Sequence, residues 1–314
     1  DTKTLAQLIA AFDRTEYKLC ATATPAPNDY AELGTHAEFL NICSRAEMLS
    51  EFFVHDSGNT QTWRLKGHAE SVFWRWVASW GALLRNPSDL GYDDARYSLP
   101  PLTVNHRKVA GGAPHPEHGF GLKERREARK ASMPERVKLC AEMVNKHENE
   151  QWVVWGDLNA ETDALAKLID GAVQVKGADT PEFKEKILLA FADQKVRVLV
   201  SKTSIAGFGL NWQNCAHMAF VGVNDSFEAY YQAIRRCWRF GQQREVQVTL
   251  FASEAEGAVL ENLQRKEADA KKMADELSLQ TREILRESIR RVRRYNPYEP
   301  KTKITMPQWL QGAE

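Results

Sequence analysis

The chain has no Cys-x-x-Cys pair, and its five cysteines (Cys20, Cys43, Cys140, Cys215, Cys237) are odd in number. That argues against a disulfide framework or a thiolate zinc site and makes a reducing cytoplasm its natural home. No uninterrupted apolar run is long enough to cross a bilayer, and the first residues show no secretory pattern, so no membrane partner is expected. There is no charge excess of either sign, because 42 Lys and Arg balance 42 Asp and Glu. The global balance therefore does not advertise nucleic acid, and any such role must rest on local clusters. No internal repeat or low-complexity tract is visible. What is there, 43% hydrophobic and 27% charged over 314 residues, is a soluble globular composition with room for one large or two ordinary domains.

Strand and helix patterns alternate from Pro134 onward. A helical stretch (Val137, Cys140, Ala141, Val144) leads to an apolar strand at 152–155. A helix over 159–169 and a short strand at 172–175 follow. A helix at 181–192 begins with Pro181, where its missing N–H does no harm. Strands are predicted at 196–200, 218–223 and 246–251, with a helix over 232–239 between the last two and a long charged helix from about Glu254. This alternation implies a parallel sheet covered by helices on both faces. Upstream, residues 1–12 read as a helix with Leu5, Leu8, Ile9 and Phe12 on one side. Tyr17 to Cys20 reads as a strand, with two helical stretches after it ending near Phe53. The stretch from His68 to Leu84 (Val72, Phe73, Trp76, Val77, Trp80, Leu84) reads as an aromatic-rich helix packed in a core. Segments 91–101 and 110–121 are Gly/Pro-rich connections, and Lys123 to Lys130 is charge-dense with a basic excess.

The most informative run is Tyr231-Gln-Ala-Ile-Arg-Arg-Cys-Trp-Arg-Phe-Gly-Gln242. It spaces Gln232, Arg236, Arg239 and Gln242 by four, three and three residues, which on a helix lines them along one face. Guanidinium forks matched to phosphate oxygens suit a site that grips a polyphosphate; a solvated basic face is the plainer alternative. The pattern Q-A-x-x-R-x-x-R-x-G-Q resembles motif VI of superfamily 2 helicases in their Swi/Snf-like branch. Three further segments stand in the matching order. Thr22-Ala-Thr-Pro25 with Asn28 resembles motif III, and otherwise is a Thr-Pro turn. Val153 to Asp157, with Val175-Lys-Gly177, resembles motif IV and the segment after it. Ser201-Lys-Thr-Ser-Ile-Ala-Gly-Phe-Gly-Leu-Asn-Trp212 resembles motif V; its Gly207 and Gly209 would otherwise mark a tight turn. The chain is similar to phage or prophage helicase-like proteins of that branch, which would place it in the host cytoplasm.

The resemblance implies a RecA-like parallel sheet flanked by helices, an α/β lobe 2 over residues 134–275. Before it come the C-terminal part of a RecA-like lobe 1 (1–53) and a mixed, mainly helical insertion (54–133). A basic helix and tail (276–314) follow. It implies Arg236 and Arg239 as catalytic arginines reaching the γ-phosphate of ATP. Gln232, Gly207, Gly209, Asn211 and Gln242 would form the nucleotide side, Gln242 also fixing the turn after motif VI. Lys176, Ser201, Lys202, Thr203 and Ser204 would hold a nucleic-acid backbone without reading bases. Thr22 and Thr24 would couple nucleotide state to lobe closure. The form of motifs III and VI implies double-stranded DNA as partner.

Phosphoryl transfer also needs a phosphate-cradling loop with its Lys and an acidic Mg²⁺ holder. No G-x-x-x-x-G-K-[ST] occurs, and Asp275-Glu276, the one pair of superficial promise, lies after motif VI. Both elements precede motif III in the family, so the Mg²⁺ ligands and a partner N-terminal lobe are expected outside this chain, which by itself would not turn over ATP. A non-catalytic nucleic-acid-binding module of the same fold and the motor part of a restriction enzyme are the competing readings. No metal site is assigned: His115-Pro-Glu-His118, near His106, has no thiolate neighbour. Trp63, Trp74, Trp76 and Trp80 read as core before base-stacking. Ile284 to Arg294 interleaves apolar residues with arginines, equally a phosphate-facing helix or a docked one with a solvated face.

Overall fold

The computed structural model describes residues 3–56, 59–109, 122–207, 209–222, 226–253 and 257–291. In chain order the elements are α1 (Lys3–Phe12), α2 (Leu33–Phe39), α3 (Arg45–Phe52), β1 (Phe53–Asp56), β2 (Asn59–Leu65) and α4 (Glu70–Trp80). They continue with β3 (Leu102–Val109), α5 (Leu122–Asn145), β4 (Trp152–Gly156), α6 (Asn159–Leu168), β5 (Ala172–Gln174) and α7 (Pro181–Ala192). The last are β6 (Val198–Lys202), α8 (Thr203–Ala206), β7 (His217–Val221), α9 (Phe227–Ile234), β8 (Val246–Ser253) and α10 (Gly257–Arg291).

Six strands form one parallel sheet in the order β3-β8-β7-β4-β6-β5. Because side chains alternate across a strand, each strand feeds two cores. Val153, Trp155, Leu199, Met218, Phe220, Val248 and Leu250 face α7, α9 and the start of α10. Trp152, Val154, Val198, Val200, Ala219 and Val221 face α5 and α6. Both faces are dry, which is why β4 is buried at every position and reads as a continuous apolar run. The helix starts are locally encoded. Thr180 caps α7 ahead of Pro181, and Ser226 accepts from the Ala229 N–H to cap α9.

A smaller core lies outside the sheet. Leu33, Met48, Leu49, Phe52, Phe73, Trp74 and Val77 from α2, α3 and α4 pack with Met273 and Leu277 of α10. The antiparallel hairpin β1–β2 borders it. The aromatic helix is core in part only. Trp74 is fully buried, and Trp63, Trp76 and Trp80 pack at the margin. Val72 and Leu84, expected inside, are exposed, because α4 packs through its Phe73–Trp74–Val77 side and ends at Trp80.

Several sequence expectations are corrected. Tyr17 to Cys20 forms no strand: no described strand runs beside it, and Tyr17 and Leu19 stand 85% exposed. The apolar side of α1 buries no residue. The sheet begins before residue 134, because β3 (within the 54–133 insertion) pairs along its whole length with β8. Its helix partner α5 also starts earlier, at Leu122. The division at 275/276 falls inside α10, whose Met273 and Leu277 share one core. Segment 110–121, with His115 and His118, lies outside the described residues. So do residues 292–314 and the side chains of 285–291, and with them most of the Ile284–Arg294 pattern.

Candidate nucleotide and nucleic-acid edge

The motif V-like and motif VI-like segments meet beyond the carboxyl end of β6, where open parallel sheets place their ligands. Lys202 and Thr203 are half-buried and Ser204 is exposed as the chain turns from β6 into α8. A Cβ at Gly207 would stand 2.2 Å from the Thr203 carbonyl oxygen, so that turn admits no side chain. Gly209 has φ +76°, the left-handed region glycine reaches without steric cost. Trp212 then anchors the loop, fully buried against Phe191 and Trp155 with ring centroids 5.2 and 6.1 Å away.

The motif VI arginines reach this loop by an unexpected route. The helix predicted over 232–239 ends at Ile234, and three-residue turns carry the chain onward. It stops there because the Arg236 carbonyl turns aside to accept the Trp212 N–H at 2.8 Å. The Arg236 guanidinium then donates from Nε to the Gln232 carbonyl (2.9 Å), from Nη2 to Gln232 Oε1 (3.1 Å) and from Nη1 to the Leu210 carbonyl (3.0 Å). Arg239 Nη1 donates to the same Leu210 oxygen at 3.2 Å. Two cations thus converge on one carbonyl next to Gly209. Burial, and behind it the neighbouring Arg239 charge, push the Arg236 pKa down. Neither has a carboxylate partner among the described residues, whereas Arg85, Arg129, Arg136, Arg244 and Arg265 each have one. Asn211 is exposed on the same loop.

Two assigned residues are taken out of the contact set. Ser201 is fully buried, its hydroxyl donating to the Val175 carbonyl at 2.9 Å, so it ties β6 to the residue after β5 and cannot touch a phosphate. Gln242 is also buried. Its amide nitrogen donates to the Cys215 and Cys237 carbonyls, and its Oε1 accepts the Gln243 and Arg244 N–H groups, which fixes the turn and leaves nothing for a nucleotide. Lys176 stays half-exposed but pairs with Asp163 at 2.9 Å. Thr22 accepts the Thr24 N–H at 3.1 Å, and Thr24 Oγ1 donates to Glu228 Oε1 at 3.4 Å. Glu228 lies four residues before Gln232, on the same side of α9. The motif III-like segment is therefore one helical turn from the Arg236 cluster. Farther along, Lys266 Nζ donates to Asn28 Oδ1 and Tyr30 OH to the Asp269 carbonyl, docking the same segment on α10.

Sequence reading missed a charged network at the ends of β4 and β7. Glu161, fully buried, accepts the Asp157 and Leu158 N–H groups at 2.9 Å each and meets Arg136 Nη1 at 3.0 Å. Arg129 Nη1 pairs with Asp157 at 3.0 Å, and its Nε lies 4.0 Å from Glu161. Gly222, at φ +92°, makes room: a Cβ there would lie 2.7 Å from Arg129 Nη2 and from both Glu161 oxygens. The charge-dense run 123–130 and the Asn159-x-Glu161 start of α6 were the visible hints; only the fold joins them. No group of three His, Cys, Asp or Glu side chains is arranged to hold a metal among the described residues. Nor is any described helix long and apolar enough to cross a membrane.

Residues 135–241 match the family model described as the helicase conserved C-terminal domain. The crystal structure of the C-terminal part of the Fun30 ATPase domain is similar at 14% identity and TM-score 0.38, the match covering 51% of this chain and 59% of that one. No curated protein matches. The parallel sheet with its flanking helices is an α/β fold of the RecA-like kind, and its residues 135–241 are similar to the helicase conserved C-terminal domain.

Proposed function

We propose that this chain is the C-terminal motor portion of an ATP-dependent DNA helicase or translocase of the Swi/Snf-like, phage-type branch, coupling ATP hydrolysis in an interlobe cleft to movement on duplex DNA. The observation that carries the reading is the Arg236–Arg239 pair. Two guanidinium groups held beside one backbone carbonyl, with no carboxylate among the described residues to offset them, are a ready anion site. An unpaired like-charged pair costs stability unless a ligand compensates, and a nucleotide's terminal phosphate carries the matching charge and oxygen geometry.

In this reading Arg236 and Arg239 hold the γ-phosphate and offset the charge that grows on it during transfer. Gln232 orients Arg236 through its own carboxamide. ATP with Mg²⁺ supplies the phosphoryl group, and the metal ligands and phosphate-cradling loop belong to a partner RecA-like lobe. Lys202, Thr203 and Ser204 offer contacts to a DNA backbone, and Lys176 joins them if Asp163 releases it. Thr24, bonded to Glu228, links the first segment to the helix that carries Gln232.

The test is nucleic-acid-stimulated ATP hydrolysis by the full-length protein. Arg239→Ala is expected to lower kcat by about 10³-fold or more while duplex DNA binding persists. Undiminished hydrolysis in that variant sinks the assignment. DNA binding with no hydrolysis in the unmutated full-length protein favours the non-catalytic module instead.

A further inference from the structure

The Arg129 network is absorbed by nothing above, and its two carboxylates are not equivalent. Glu161 is sealed in, its Oε2 accepting two backbone N–H groups and its Oε1 ion-paired with Arg136. The Asp157 side chain is 29% exposed and the Arg129 side chain 16%, so their 3.0 Å ion pair sits at the rim. Asp157, Gly156, Gly222 and Thr203 line one small cleft at the carboxyl ends of β4, β6 and β7. Arg129 therefore abuts two walls of the cleft that Thr203 also lines.

We propose that Arg129 is a further nucleic-acid contact, and that Asp157 is its exchangeable counter-ion, displaced when a DNA phosphodiester meets the rim of the strand-end cleft from outside. This rests on the reading that DNA lies along the Lys202–Ser204 edge. The chemistry is one of substitution. A phosphodiester offers one negative charge and two free oxygens, which suit a guanidinium fork as a carboxylate does. Exchanging Asp157 for a phosphodiester leaves the largely buried Arg129 guanidinium paired, whereas the buried Glu161–Arg136 pair stays intact and holds Arg129 in place. Arg136 reinforces that hold by donating from Nη2 to the Arg129 carbonyl at 2.7 Å.

The experiment is binding of the chain to a fluorescently labelled DNA duplex across a salt series. Asp157→Asn, nearly isosteric and at the rim, removes the competing charge and is expected to bind about two- to fivefold tighter. Arg129→Gln is expected to bind more weakly, with a slope of log K on log salt shallower by about one. The double variant should bind no tighter than Arg129→Gln alone. Should Arg129→Gln fail to fold by thermal melt, Asp157→Asn and Arg129→Lys carry the test, the latter keeping the charge and the salt slope. Lys202→Ala serves as reporter for the edge itself. If it weakens binding while Asp157→Asn changes nothing, the exchange is overturned alone. If neither variant has an effect, the strand-end reading falls with it. A tightening by Asp157→Asn that survives without Arg129 also overturns the exchange.

Discussion

Gly207 shows how much a single residue can conceal. Its place in a G-x-G run was visible in the sequence, but the reason for it was not. Gly209 is needed for its positive φ, whereas Gly207 is needed because the Thr203 carbonyl leaves no room for a Cβ. Gly207→Ala pushes against rigid backbone, so a loss of about 1–3 kcal/mol is expected, read as a lowered urea midpoint with the slope unchanged. Gly209→Ala strains the chain by conformation alone and is expected to cost about 1 kcal/mol. Ser201 and Gln242 teach the same lesson from the other side. Both are polar residues in the right motif, and both spend their hydrogen bonds inside the protein. Residue type was legible; burial was not, because it depends on the neighbouring strand and turn.

At the scale of elements, α9 and α10 decide the most. Arg236 and Arg239 meet not by sharing a helix face but because the chain leaves the helix after Ile234 and folds against the Leu210–Trp212 loop. A spacing of three and four residues is compatible with a helix and with successive tight turns, so the sequence could not separate them. Helix α10 begins against the sheet through Leu263 and ends in the small helical core through Met273 and Leu277. Ion pairs Arg85–Asp275 and Glu70–Lys272 add rim contacts of little energetic weight. The helix is thus the mechanical link between the two cores. Leu277→Ala is expected to cost about 2–5 kcal/mol, seen in urea unfolding, and to expose α4 to limited proteolysis before the sheet. Loss of both cores in one step would show that α10 transmits the damage.

For the whole molecule, the equal numbers of acidic and basic residues leave no net charge to attract a polyanion. In the proposed reading DNA binding rests on the strand-end edge, which is why the salt slope and not affinity alone is the informative measurement. Stability against acid has an identifiable contributor in His217. Burial holds its pKa below the ordinary 6.5 and outweighs the raising effect of Glu150, 3.4 Å away. A folded pKa below the unfolded one means that the neutral form is favoured by folding. The contribution is full above 6.5 and is lost as pH falls through the lowered value. Unfolding midpoints should therefore drop as pH falls below 6.5, and His217→Gln should flatten that part of the curve.

The sequence by itself determined the parallel α/β sheet, since apolar runs alternating with capped helices leave few other ways to bury both faces. It also determined which residue types could meet a phosphate. Tertiary structure alone decided which of them are free to do so. It placed β3 at the edge of the sheet, because pairing between distant strands leaves no local signature. It consumed Ser201 and Gln242 in buried hydrogen bonds. It also joined Arg129 of α5 to Asp157 beyond the end of β4, where charges meet by folding and not by spacing.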